Sequence, residues 1–337
     1  MSEHSAHISA PPENVFDAVE ALARKNGFEI DRTSASLAVT AALGRLRLEA
    51  AGSGTEVFFS ADSPAQLQIL KDLYAVRFAN MGFGDSLRWA TVAGNAPLNQ
   101  ILARVVESRR ISPNFIRLRL SGDFAAFAQP GAGLHFRLLF GPKDTAWPTL
   151  DERGITSWPQ GVENWHRPSY TVRQVNTGAD LIDIDVYLNP TGRAARWCKE
   201  VTPGTEIALH GPSGSAARAA GWFGLVGDET ALPVIVRILE SAPREALGRA
   251  DIVLRDLDDA QQITAPPGIE IAWHAAVQVP IMSDLVGRFG EPKDNGYAFF
   301  AAERAEAGRA RARLKEMGWS PRNVTAASYW TAPAGLT

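Results

Sequence analysis

Arg167-Pro168-Ser169-Tyr170-Thr171-Val172-Arg173 is the stretch of this 337-residue chain whose reading decides its fold. On a strand, alternate side chains share a face, so Arg167, Ser169, Thr171 and Arg173 are expected on one side, with Pro168 and Tyr170 on the other. Arginine matches a pyrophosphate because its planar fork donates paired, charge-assisted hydrogen bonds. Tyrosine offers a ring for stacking and a hydroxyl, and threonine can hydrogen-bond the edge of a flat heterocycle. Together these side chains suit a flavin dinucleotide. An exposed strand with two solvated arginines fits the same spacing.

Bulk properties frame that reading. The length exceeds what one core comfortably fills, and two or three domains are expected. With 45% hydrophobic and 21% charged residues, the composition is that of a globular protein. A formal net charge of −3 argues against a dedicated nucleic-acid binder. The lone Cys198 excludes an internal disulfide and fits a reducing compartment. No apolar run is long enough to span a bilayer, and MSEHSAHISAPPENVF lacks the layout of a signal peptide. A cytoplasmic protein without membrane insertion is expected.

Three parts follow outward from the opening stretch. Residues 1–95 read as a small α+β domain. A helix opens at Pro11-Pro12-Glu13-Asn14 and stops at Gly27, two or three strands follow, and a second helix runs from about Pro64 to Asn80. Thr91 to Asn99 reads as a linker. Residues 96–215 read as an antiparallel β-barrel of short strands, interrupted from about Gly141 to His166 by a Pro/Trp/Gly-rich segment without a period, expected as a long surface loop. Residues 216–337 alternate strand and helix, the pattern of a parallel nucleotide-type sheet.

Three loops bear on the chemistry. Asn189-Pro190-Thr191-Gly192-Arg193-Ala194 leads from a strand into a short helix, whose free amides and dipole favour an anion; an ordinary capped surface helix fits as well. Gly211-Pro212-Ser213-Gly214 is explained by turn chemistry alone. Gly227-Asp228-Glu229-Thr230 follows a strand where a dinucleotide site would carry glycines, and its two carboxylates are expected to repel a pyrophosphate. The six histidines show no zinc-type spacing, and no metal site is expected.

In order, HFRLLF, RPSYTVR, LIDIDVYL, TGRAARW, PGTEIALHGPSG, GDETALPVIVRILE, AAE and SYW make residues from about 100 to 330 resemble the siderophore-interacting protein family of ferredoxin-reductase-like flavoproteins. The resemblance implies a flavin barrel, a nucleotide-type domain, bound FAD and reduction of ferric siderophores with electrons from NAD(P)H or a ferredoxin. It implies that Arg167 contacts the flavin phosphates, Tyr170 packs on the ring or its ribityl chain, and Thr171 bonds the ring edge. By the same resemblance Gly192, Arg193 and Ala194 hold the pyrophosphate, Arg173, Asn189 and Thr230 add cofactor contacts, and Arg137 attracts an anionic ferric siderophore. A solvated strand arginine is the plainer account of Arg137. No side-chain nucleophile is required, because the flavin carries the redox chemistry. Reduction promotes release, since ferrous iron is held less tightly than ferric by hard oxygen ligands.

The chain departs from the family pattern at three places. Tyr187-Leu188-Asn189 stands where a histidine is usual, Ala301-Ala302-Glu303 replaces Ala-Gly-Glu, and Thr331 replaces a basic residue after Trp330. The helix LQILKDLYAVRFANMGF resembles a small uncharacterised α+β domain (DUF2218-like), which names no chemistry. Two other readings stay open: a general flavin reductase or ferredoxin partner, and a non-catalytic module binding iron chelates or protein.

Overall fold

A computed structural model describes residues 2–90, 94–190, 192–214 and 216–332. Thr91, Val92 and Ala93 of the expected linker, and Thr191 of the phosphate turn, lie outside the described residues.

The N-terminal sheet is antiparallel, with strands β1 (Ser2–Ile8), β2 (Glu29–Arg32), β3 (Ser36–Ala41), β4 (Gly44–Ala51), β5 (Gly54–Ala61) and β6 (Leu87–Trp89) in the order β2-β3-β4-β5-β1-β6. Helix α1 (Pro12–Lys25) has proline at its start, Glu13 in the first turn and Arg24 and Lys25 in the last, each suited to its end of the dipole. Helix α2 (Pro64–Asn80) is capped by Ser63, whose hydroxyl accepts from the Gln66 amide at 3.2 Å. Ile8, Phe16, Val57, Phe59, Leu70 and Phe78 fill the core, each contributing about 1.5–3 kcal/mol through burial. The sheet is larger than the two or three strands expected. β1 is mostly polar and β2 buries no residue, so neither shows apolar alternation.

Beyond it run β7 (Gln100–Ser112), β8 (Phe115–Ser121) and β9 (His135–Leu139), a hairpin of β10 (Thr149–Leu150) and β11 (Thr156–Ser157), then β12 (Ser169–Val175), β13 (Leu181–Tyr187) and β14 (Glu206–Ser213). Six of these close a barrel in the order β12-β13-β8-β7-β14-β9. Facing positions on β8 and β13 carry two bidentate ion pairs, Arg117 to Asp185 and Arg119 to Asp183, each with bonds of 2.7 and 2.8 Å. Such cross-strand pairs hold register. The Gly141–His166 segment is mostly irregular and lies largely at the surface, but it carries the short β10–β11 hairpin and a few buried anchors. Trp165 is 5% exposed and packs with Leu139, Ala208, Trp147 and Trp158. Thr156 reaches back to Asp72 through its hydroxyl at 2.6 Å and its amide at 3.0 Å. Tryptophans that find a core without regular structure leave no period to read.

Strands β15 (Trp222–Gly227), β16 (Leu247–Leu254), β17 (Gly268–Ala275), β18 (Gly296–Glu303) and β19 (Val324–Trp330) form a parallel sheet ordered β17-β16-β15-β18-β19. β15 and β18 are buried almost throughout, as expected of parallel strands covered on both faces. Helix α4 (Leu232–Ser241) lies in the apolar core that includes Phe223, Leu225 and Ile252. Helix α5 (Arg304–Glu316) contributes to another core, with Val226, Phe289 and Phe300. Strand order reverses between β15 and β18, so the loop after β15 lies at the topological switch point, where open α/β sheets bind ligands.

The chain packs as two compact units. One comprises residues 1–102, 137–168 and 208–213; the other comprises residues 103–136, 169–207 and 214–337.

Candidate functional site

In the second unit the site begins on β12. Thr171 is buried, and its hydroxyl lies 3.2 Å from Nδ1 of His135 on β9. On the other side of that imidazole, the Tyr329 hydroxyl lies 3.5 Å from Nε2 and the two rings meet edge-on. Burial holds His135 below the ordinary histidine value, opposed by a hydrogen bond to the Tyr170 backbone. The ring is therefore neutral at pH 7 and can either donate to or accept from Thr171. Gly214 passes directly beside it, with φ +73°, and an added Cβ would come within 2.7 Å of the imidazole. That contact gives the Gly211–Gly214 turn a structural reason for its last glycine.

Tyr170 is half-buried, 6.4 Å from the Phe136 ring, and burial raises its phenol above the usual range. The alternation expected across residues 167–173 does not hold. Arg167 precedes the strand, and a register shift between Val172 and Gln174 places Arg173 in a bulge. Its guanidinium forks onto Glu240 at 2.6 and 2.7 Å and lies 3.8 Å from Asp185.

The turn that starts at Asn189 leads into a short helix. Gly192 caps helix α3 (Arg193–Glu200) without any side-chain cap, and its amide bonds the Asn189 carbonyl at 3.0 Å. A Cβ at Gly192 would sit 3.3 Å from that carbonyl, so the turn is as tight as the residue allows. Arg193 and Asn189 are exposed and Ala194 is buried. The first turn of α3 thus presents backbone amides rather than a capping oxygen.

The loop after β15 turns its carboxylates inward. Asp228 accepts from the Thr230 amide at 2.9 Å, the Thr230 hydroxyl at 2.5 Å and the Trp330 indole at 2.6 Å. Burial raises its carboxyl above the usual range. Glu229 accepts from the Arg255 amide at 2.6 Å and is raised for the same reason. These groups tie strand ends together, and Thr230's hydroxyl is committed to Asp228.

In the first unit the Arg167 guanidinium stacks over Trp158, 4.7 Å from the ring centroid. Burial, with the charge of Arg137 added, holds it below the usual arginine range. Among the described residues neither Arg167 nor Arg137 has a carboxylate partner. His210 packs on Trp158, hydrogen-bonds Gln100 at 3.1 Å and is pushed down to about 3 by burial and both arginines. This is an unneutralised cationic patch on an aromatic floor.

Sequence reasoning assigned no role to His135, Tyr329 or Trp158. The first two lie within HFRLLF and SYW, which marked a resemblance but named no contact. Cys198 is buried, with its thiol pushed up to about 12 by burial. No group of three or more metal-ligating side chains occurs among the described residues, and no helix there is long and apolar enough to cross a membrane. In the second unit, the uncapped turn of α3 and the buried Thr171 hydroxyl have the chemistry for a phosphate and for a polar ring edge; in the first, the unneutralised arginines have the chemistry for an anion.

Comparison with known proteins agrees with this chemistry. Residues 104–216 match the siderophore-interacting FAD-binding domain, and residues 220–333 match the siderophore-interacting protein domain. Over 177 residues the chain is 29% identical to a ferric vibriobactin reductase of Vibrio cholerae, covering 50% of this chain and 64% of that one. It is 28% identical over 236 residues to an NADPH-dependent ferric-chelate reductase of Escherichia coli, covering 68% and 91%. An uncharacterized protein of Mycobacterium tuberculosis is 33% identical over 177 residues, covering 50% and 62%. The aligned region thus spans less than two thirds of the mycobacterial and Vibrio relatives. A siderophore utilization protein from T. fusca superposes with a TM-score of 0.62 at 26% identity, covering 71% of this chain and 94% of that one.

Proposed function

Because the chain belongs, over residues 104–333, to the siderophore-interacting protein family, we propose that it is a FAD-dependent ferric-siderophore reductase. Bound FAD supplies the electron transfer that turns chelated Fe(III) into Fe(II). Everything else falls to the side chains. Arg167 and the first-turn amides of α3 at Gly192, Arg193 and Ala194 hold the phosphates. Tyr170 packs on the flavin, and Thr171 meets the ring edge with its hydroxyl set by His135. Asn189 and Thr230 border the same cofactor, Thr230 through its backbone because its hydroxyl serves Asp228. Arg137, exposed beside Arg167, draws in an anionic ferric siderophore. NAD(P)H or a ferredoxin supplies the electrons.

The observation that carries the reading is the arginine pair. Two guanidinium groups whose charges act on each other without a carboxylate partner among the described residues call for an anionic ligand. Absorption spectra of the protein after FAD is added and excess removed test it. Wild type retains a flavin spectrum, and Arg167→Ala weakens retention by about tenfold or more, the loss expected for a charge-assisted phosphate contact. Wild-type protein that retains no flavin would end the reductase reading and favour a binding module.

A further inference from the structure

The Arg167 guanidinium lies over the Trp158 ring, 4.7 Å from its centroid, and makes no hydrogen bond or salt bridge among the described residues. Contact with a ring face uses up no N–H hydrogen, so the fork stays open to an anion while the side chain is held in place. A free arginine samples many rotamers and has to be ordered when a ligand arrives; a ring beneath it removes that cost beforehand.

Trp158 is itself held on several sides. Its ring meets Trp165 edge-on at 5.5 Å and packs tilted on His210 at 5.2 Å. Trp165 is buried, and its indole donates to the Pro159 carbonyl at 3.0 Å. His210 bonds Gln100, whose side-chain amide donates to the Pro148 carbonyl at 3.0 Å. The segment that carries Trp158 is also fastened to helix α2. Asp72 accepts from the Thr156 hydroxyl at 2.6 Å and from the Thr156 amide at 3.0 Å, two residues before the tryptophan. Buried Gln68 donates to the Gly154 carbonyl at 3.2 Å. All of these residues belong to the first unit.

We propose that Trp158 is a positioning residue for Arg167, and that Asp72 of the N-terminal domain anchors the segment that presents it. This role rests on Arg167 meeting the FAD phosphates, and it gives the N-terminal domain a part in the cofactor site. Trp158 fixes the guanidinium before the cofactor arrives, and the guanidinium keeps its donors for phosphate oxygens. A tryptophan that only fills the core would matter to FAD equally with or without Arg167.

Quenching of FAD fluorescence by the flavin-free full chain tests it, with Trp158→Leu, Trp158→Phe and Asp72→Ala each made alone and in the Arg167→Ala background. Trp158→Leu weakens FAD by about fivefold, and Trp158→Phe stays within about twofold of wild type because a smaller ring still offers a face. Asp72→Ala weakens FAD by less than Trp158→Leu does. In the Arg167→Ala background Trp158→Leu and Asp72→Ala each cost under about twofold, since no guanidinium is left to position. A fold merely loosened by either change would weaken FAD equally in both backgrounds, and that additivity would overturn the proposal. So would unchanged affinity in Trp158→Leu or in Asp72→Ala, or phenylalanine serving no better than leucine. Wild type that binds no FAD would overturn the reductase reading and this role together, whereas additive losses would overturn this role alone.

Discussion

The pairing of Arg173 with Glu240 gives a measurable test of how β12 is used. Two charge-assisted bonds join the groups, at 2.6 and 2.7 Å, with side chains 13% and 30% exposed. Fully buried bonds of this kind are worth about 1.5–3 kcal/mol each, and fully exposed pairs only about 0.2–1 kcal/mol together. With Arg173 mostly covered and Glu240 partly wet, a coupling of about 1.5 kcal/mol is expected, roughly a tenfold change in the unfolding constant. Urea denaturation of Arg173→Met, Glu240→Gln and the double variant isolates that coupling. Arg173→Met costs more than Glu240→Gln, because it also removes a cation 3.8 Å from the buried Asp185. Asp185 keeps its bidentate bond to Arg117, which limits the loss. FAD affinity of Arg173→Met stays within about threefold of wild type, since the fork is already engaged. A coupling below about 0.3 kcal/mol, the noise of such cycles, together with a large loss of FAD affinity, would refute this and return Arg173 to the cofactor.

Other perturbations follow from the same geometry. Trp330→Phe removes the indole N–H from buried Asp228 and costs about 1–2 kcal/mol in urea denaturation; an unchanged midpoint would mean that this bond holds nothing. Gly214→Ala combines a left-handed backbone with a 2.7 Å approach to His135 and costs about 1–3 kcal/mol by thermal or urea unfolding. His210, depressed to about 3, makes stability pH-dependent with a definite sign. Below an unfolded value near 6.5 the unfolded chain takes up a proton that the folded chain refuses. Stability is therefore full above about pH 6.5 and falls by up to about 1.4 kcal/mol per pH unit toward pH 3. His210→Gln flattens that slope, and an unchanged slope would show that another group titrates there.

The sequence carried the architecture well wherever patterns were periodic. The runs at Trp222–Gly227 and Gly296–Glu303 declare buried parallel strands through their continuous apolar character. α1 and α2 were legible from proline starts and apolar spacing. β1 and β2 were not, because sheets with a polar or edge strand carry no alternation. In the Gly141–His166 segment the loop was legible but its anchors were not: Trp147, Trp158 and Trp165 pack by shape, and shape has no period.

Among site residues, chemistry was readable but direction was not. Asp228 and Glu229 look like an electrostatic barrier in one dimension, yet both are consumed by hydrogen bonds within the fold, from Trp330 and Thr230 to the first and from Arg255 to the second. Arg173 looks like a phosphate ligand until the bulge turns it toward Glu240. His135 stood in plain view within a quoted motif. Only the closing of the barrel, which brings β9 beside β12, shows that it hydrogen-bonds the Thr171 hydroxyl.

The most direct test of the account starts from FAD-loaded protein, reduced chemically and freed of excess reductant without oxygen. Mixing it with a ferric siderophore, while following flavin absorbance and trapped Fe(II), leaves the identity of the natural electron donor aside. The account predicts flavin reoxidation matched by about two Fe(II) per flavin, the electron balance of a two-electron carrier serving a one-electron acceptor, with Arg137→Ala slowing the step. Flavin that stays reduced while the chelate stays ferric would contradict it.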